Sequence, residues 1–195
     1  MALIPKYHTA VAMFPVDPAD VTQLNAGGAE ATYAIYQGMV VGINSSGYVK
    51  KASNTVVPVG LAGDSLAVAA GHSAYQDSLV INPGGSRKGT QNRVSDYFNE
   101  TLGSGLMSVY ITGGEFYTDM YVSGTSFTVG SNVNASNTAG FVDVSGTYKI
   151  GICTSGISGY PSGVPGAINA ADYSMPLRTY NTNGGFMSFI MSIQF

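Results

Sequence analysis

Residues 36–64 read YQGMVVGINSSGYVKKASNTVVPVGLAGD, and the way glycines punctuate short apolar runs in this stretch decides the fold class. Gly38 precedes Met39-Val40-Val41, Gly47 lies in a polar turn ahead of Tyr48-Val49, and Gly60 stands between Val59 and Leu61. β-branched residues fit a pleated strand, and glycine supplies the positive φ of a tight hairpin turn. A glycine between two aliphatic residues permits a bulge or the close approach of another backbone. The stretch therefore predicts a hairpin followed by a third strand. Its side chains include no grouping suited to catalysis.

Residues 130–156, GSNVNASNTAGFVDVSGTYKIGICTSG, echo that pattern. Gly140-Phe141-Val142 stands where the first copy has Gly47-Tyr48-Val49, and Ile150-Gly151-Ile152 stands where it has Val59-Gly60-Leu61, with different spacing between the two landmarks. Short runs rich in β-branched and aromatic residues, bounded by Gly, Asn or Ser, place further strands at 78–81, 108–112, 115–122, 126–129 and 186–195. The chain reads as all-β. The one capped helical signal is Asp17-Pro18-Ala19-Asp20, with Asp17 as N-cap and Pro18 in the first helical position. Val94, Tyr97, Phe98 and Leu102 fall at helical spacing for another short turn. The C-terminal FMSFIMSIQF would aggregate as an open edge, so it is expected to be a central or interface strand.

A chain of 195 residues with 45% hydrophobic content has enough apolar side chain for a real core. Only 10% of residues are charged, against about 25% in an ordinary globular protein, so the surface is expected to be polar and largely uncharged. A formal net charge of -3 lacks the positive field that direct nucleic-acid binding needs. The N-terminal MALIPKYHTAVAMFPVDPAD has no basic leader and is broken by Pro5, Pro15 and Pro18, so it does not read as a signal peptide, and no run approaches the roughly 20 apolar residues of a membrane span. Cys153 is the only cysteine, which excludes an internal disulfide and suits synthesis in a reducing cytoplasm.

Residues 1–32 read as an extended arm and 33–195 as the β-rich body, with an inserted or second β-subdomain around 78–121. The arm either lies on another chain or packs on its own domain. Neither His8 nor His72 has metal-ligand spacing around it, so no metal or cofactor is expected. His72-Ser73 with Asp64 and Asp77 nearby is the sort of local grouping that any Ser-rich loop shows, and Glu115 and Asp119 are expected on one solvated strand face. The one concentration of positive charge is Arg87, Lys88 and Arg93 within NPGGSRKGTQNR, 82–93, which lacks the Gly-Lys-Ser/Thr order of a phosphate loop. Such a tip suits an acidic patch on a neighbouring protein, or simply solvent. Thirteen Tyr and no Trp give aromatic surface with polar tips, suited to contacts between chains.

The order Gln37-Gly38-Met39-Val40-Val41, Gly47-Tyr48-Val49-Lys50-Lys51-Ala52 and Val57-Pro58-Val59-Gly60-Leu61-Ala62-Gly63-Asp64 resembles the signature of tailed-phage capsid decoration, or cement, proteins. The resemblance covers roughly residues 30–66. It implies a small β-barrel or β-tulip body, often trimeric, on the outer face of the phage head, where it bridges subunits of the major capsid protein and stabilises the lattice. With it, Tyr7 and Phe14 on the arm and Arg87, Lys88 and Arg93 on the loop are candidate capsid contacts. The expected function is structural, in a homo-oligomer on the virion surface, without enzymatic activity. The alternative is a receptor-binding or adhesive β-module of a tail fibre or surface appendage that reads host glycans.

Overall fold

The computed structural model describes residues 4–5, 10–26, 29–36, 38–64, 66, 105–158 and 186–193. They form eleven strands and two short helices: β1 (Ile4–Pro5), β2 (Ala10–Pro15), α1 (Pro18–Asn25), α2 (Glu30–Tyr33), β3 (Val40–Ile43), β4 (Val49–Lys51), β5 (Pro58–Ala62), β6 (Leu106–Thr112), β7 (Glu115–Thr118), β8 (Asn132–Ala135), β9 (Val142–Asp143), β10 (Tyr148–Ser158) and β11 (Phe186–Met191). All strand pairs are antiparallel. The all-β class holds.

The echo in the sequence is a duplication of structure. One sheet runs β2-β6-β5-β3-β4, and the other runs β7-β11-β10-β8-β9 with β1 added beside β7. Five consecutive strands are thus arranged the same way twice, with the first and fifth strands paired and the second strand central to a hairpin. The bulges match as well. Between β3 and β5 the register passes from Val41↔Gly60 to Gly42↔Pro58, leaving Val59 as the extra residue, and between β8 and β10 it passes from Val133↔Gly151 to Asn134↔Lys149, leaving Ile150. A Cβ on Gly60 would strike the carbonyl oxygen of Tyr110 and lie 2.6 Å from Val109. On Gly151 it would strike that of Ile190 and lie 2.7 Å from Phe189. Each glycine therefore allows the close approach expected of it, to the fifth strand of its own unit. Those fifth strands share a pattern too, Leu106-Met107-Ser108-Val109-Tyr110 against Phe186-Met187-Ser188-Phe189-Ile190.

The hairpin turns follow the same plan with one residue more in the second. Asn44 Oδ1 accepts from the N–H groups of Ser46 and Tyr48, and Asn44 N–H donates to Tyr48 O at 2.9 Å. In the second unit Ser136 Oγ accepts from Thr138 N–H, and Ser136 N–H donates to Phe141 O at 2.9 Å. Gly47 and Gly140 close these turns at φ 86° and 87°, a region that side chains with a Cβ avoid. Even the isolated parallel bridges correspond, Val16↔Val49 in one unit and Tyr121↔Val142 in the other.

The sheets are open. Their strand orders end at β4 and β2, and at β9 and β1, so among the described residues neither closes on itself and the expected barrel is not formed. Instead the units stack. Along β3 and β5 the side chains alternate: Val41 and Ala62 join a cluster with Leu24, Ile35 and Leu66 beneath the helices, while Val40 and Leu61 join Phe116, Val142 and Phe189 of the second unit. The first sheet is therefore covered on both faces, which the near-continuous burial of β3 reflects.

The arm takes the second of its two readings where it is described: β2 pairs with β6 along its length, and α1, capped by Asp17 as anticipated, buries Leu24. Residues 106–121 form β6, β7 and the Tyr121 bridge, integral to both sheets, while 78–104 lie outside the described residues together with the helical pattern at Val94. The stretch 126–129 is irregular, its apolar signal arising from Phe127, which plugs the second cluster edge-on to Tyr121 with ring centroids 5.8 Å apart. The C-terminal strand is central, between β7 and β10.

The two turn glycines offer a matched test of the stacking. A Cβ at Gly47 would meet open space, whereas at Gly140 it would lie 2.9 Å from Met39 Sδ. Gly47→Ala is expected to cost about 1–2 kcal/mol for the positive φ alone. Gly140→Ala adds overpacking and is expected to cost about 2–5 kcal/mol, as read by urea unfolding.

Candidate functional site

Most charged side chains of the described body serve to hold it together. Lys50 Nζ on β4 lies 2.8 Å from Asp17 Oδ2 and 2.8 Å from Asp20 Oδ2, pinning the N-terminus of α1 to the first sheet. Asp64 Oδ2 accepts from Ser108 N–H at 3.0 Å and from Ser108 Oγ at 2.6 Å, tying the exit of β5 to β6. At the matching place in the second unit, Thr154 Oγ1 donates to Glu115 Oε1 and meets Ser188 Oγ, both at 2.8 Å. Asp143 accepts from Thr125, Ser145 and its neighbour's N–H. Asp119 is fully buried, so it shares no solvated face with Glu115, contrary to expectation: β7 ends at Thr118 and the chain turns inward there. Among the described residues no group of three or more His, Cys, Asp or Glu stands close enough to hold a metal ion, and no helix is long and apolar enough to cross a membrane.

What the body offers outward as a group is apolar. Val11 and Met13 on β2 are 51% and 54% exposed, and Leu106 on β6 is 42% exposed. Period-two alternation and the register Val11↔Tyr110, Met13↔Ser108 and Pro15↔Leu106 put all three on the face of the first sheet that the second unit covers elsewhere. That cover stops at Tyr110, whose ring packs 5.4 Å from Phe116 and whose hydroxyl is pushed up in pKa by burial and by the nearby Asp64 charge. The three side chains form a ledge beside the junction. Single exposed hydrophobics are ordinary, but a contiguous group at a sheet edge marks a contact surface.

Of the candidate contacts, Phe14 is described and faces the other way, packed against the cluster beneath the helices. Tyr7, Arg87, Lys88 and Arg93 lie outside the described residues, as do His8, His72, Ser73 and Asp77. The ledge, at Val11 and Met13, lies in the segment whose sequence reads as an extended arm. The alternation Val11, Met13 against Ala12, Phe14 was the signal that would have found it. Compared with protein-family models, curated proteins and solved structures, the chain matches none.

The hydrogen bond from Lys50, and then that from Ala19 N–H, hold the Asp17 carboxyl below the usual carboxylate range. Burial opposes the charge on Lys50, but its two carboxylates outweigh this and raise its pKa. A lowered carboxylate stabilises the fold above its unfolded value near 3.9, and that contribution is lost as pH falls through the folded value. Lys50→Met is expected to cost about 1–2 kcal/mol at pH 7 and to lose less on acidification from pH 6 to pH 3 than the wild type, measured by denaturant titration. Cys153 is 1% exposed, and burial raises its thiol pKa. A thiol reagent is expected to leave it unmodified in the native protein and to label it on unfolding.

Proposed function

We propose that this chain is a structural virion protein, a decoration protein that adheres to the outer surface of an assembled phage head and bridges subunits of the major capsid protein. The observation that carries the reading is the division of labour in the body: its charged groups brace the fold, and its grouped exposed side chains, Val11, Met13 and Leu106, form an adhesive apolar ledge. The resemblance of residues 30–66 to decoration proteins supports the same reading. A doubled β-scaffold with its first sheet buried on both faces suits a part that must hold its shape under load.

The mechanism is mass action. A protein that binds only the intact lattice stabilises that lattice by RT ln(1 + [L]/Kd), about 2.7 kcal/mol per site at a hundredfold excess over Kd. Apolar contacts supply affinity, and the basic residues Arg87, Lys88 and Arg93 steer docking onto an acidic patch.

Adding purified protein to undecorated heads is expected to give saturable binding and a higher rupture temperature. Replacing Arg87, Lys88 and Arg93 by Ala is expected to slow association and flatten its salt dependence. Neither binding nor a rise in rupture temperature would remove the reading, and a specific glycan-array signal in its place would favour the adhesive module.

A further inference from the structure

Among the described residues the edge of β2 over Val11–Met13 has no strand beside it, and the second unit gives an example of such an edge accepting one. Val16 N–H donates to Gly105 O at 3.0 Å, and the register from Pro15↔Leu106 to Val11↔Tyr110 continues from that pair without a slip. In an antiparallel ladder alternate residues turn both backbone groups to the same neighbour. Ala12 and Phe14 therefore address β6, and Val11, Met13 and Pro15 address the opposite side. Pro15 has no N–H, and the bridge Val16↔Val49 takes up the edge beyond Met13, so the open stretch presents the donors and acceptors of Val11 and Met13.

The same count in the second unit starts from Met191 N–H donating to Gly114 O at 3.0 Å and makes Glu115 and Tyr117 the outward residues of β7. There the edge is occupied, since β1 pairs antiparallel through Ile4↔Tyr117. Met13, opposite Ser108, is the counterpart of Tyr117, opposite Ser188. Among the described residues no strand plays the part of β1 beside Val11–Met13, and β4 meets the chain past the end of β2 through the bridge Val16↔Val49. The usual defences of an edge are sparse as well: Ala-Val-Ala-Met-Phe-Pro carries no charge, and proline stands only at its end.

We propose that the occupant is the β2 edge of a second copy of this chain, paired antiparallel about a two-fold axis at Ala12. This register sets Val11 opposite Met13 of the second copy and Met13 opposite its Val11, so every outward donor of those residues finds a carbonyl. Directly opposed residues share a face, so the half-exposed Val11 and Met13 side chains of both copies cover one another. No charge faces a like charge. The match is self-complementary, as an isologous contact requires, and replaces the threefold association implied by the resemblance. The pairing assigns Val11 and Met13 of the ledge to self-association and leaves Leu106 and the basic residues Arg87, Lys88 and Arg93 to the proposed capsid contact, so its failure leaves head binding to be judged separately.

Sedimentation velocity of the full chain across about 1–100 μM is expected to show a monomer passing to a dimer. Val11→Lys with Met13→Lys, which faces like charges across the edge, is expected to remain monomeric with an unchanged far-ultraviolet spectrum. Ala12→Cys is expected to form a disulfide-linked dimer on mild oxidation, while the wild type, with Cys153 buried, does not. A wild type that stays monomeric throughout, a lysine variant that associates like the wild type, or an associating Ala12→Cys chain that does not cross-link overturns the pairing.

Discussion

Two backbone hydrogen bonds at Gly140 join the halves of this protein. Val40 N–H donates to Gly140 O at 2.9 Å, and Gly140 N–H donates to Ala52 O at 2.8 Å, so the β8–β9 turn completes the ladder that β3 and β4 leave open at their ends. The contact requires a residue at φ 87° with Met39 crowded against the space a Cβ would fill. From that anchor the second sheet lies over Val40, Ala52 and Leu61, and its own core becomes the outer layer of the first. Burial of an amide without such a partner costs several times what the bond itself contributes, so the turn and the apolar layer stand or fall together.

Stacking of this kind is directional. The face of the second unit that covers the first corresponds to the face of the first unit that lies beneath the helices, since Val41, Ala62 and Val109 match Val133, Cys153 and Phe189 by register. A third unit would have to lie on Ile152 and Ile190, the counterparts of Leu61 and Tyr110. That face carries Glu115, Thr154 and Ser188 in a hydrogen-bonded group beside the exposed Ile152 and Ile190, and among the described residues no third unit covers it. The edges are managed separately: the parallel bridges at Val49 and Val142 shield β4 and β9, and β1 shields β7.

The strand content was legible wherever β-branched residues and glycine turns coincided, as at β3, β5 and β10, and the N-cap at Asp17 was legible because Asp-Pro has few other uses. β8 was missed because Asn-Val-Asn-Ala has little strand propensity, and only pairing on both sides makes it one. The duplication was visible as an echo but not as a topology, because the shared features are bulge and turn positions, which sequence spacing blurs by a residue or more. The contact ledge was hidden behind the prolines of the N-terminal segment. Its apolar alternation belongs to an edge strand, the one place in a sheet where Pro15 is tolerated.

If the two units share one core, neither can open alone. Native-state hydrogen exchange followed across the described strands tests that claim most directly. The amides of Val40 and Gly140 are expected to exchange only with global unfolding, with β3–β5 and β8–β10 released together at one opening free energy. Exchange of the β8–β10 amides in a separate event, with β3–β5 still protected, would contradict it.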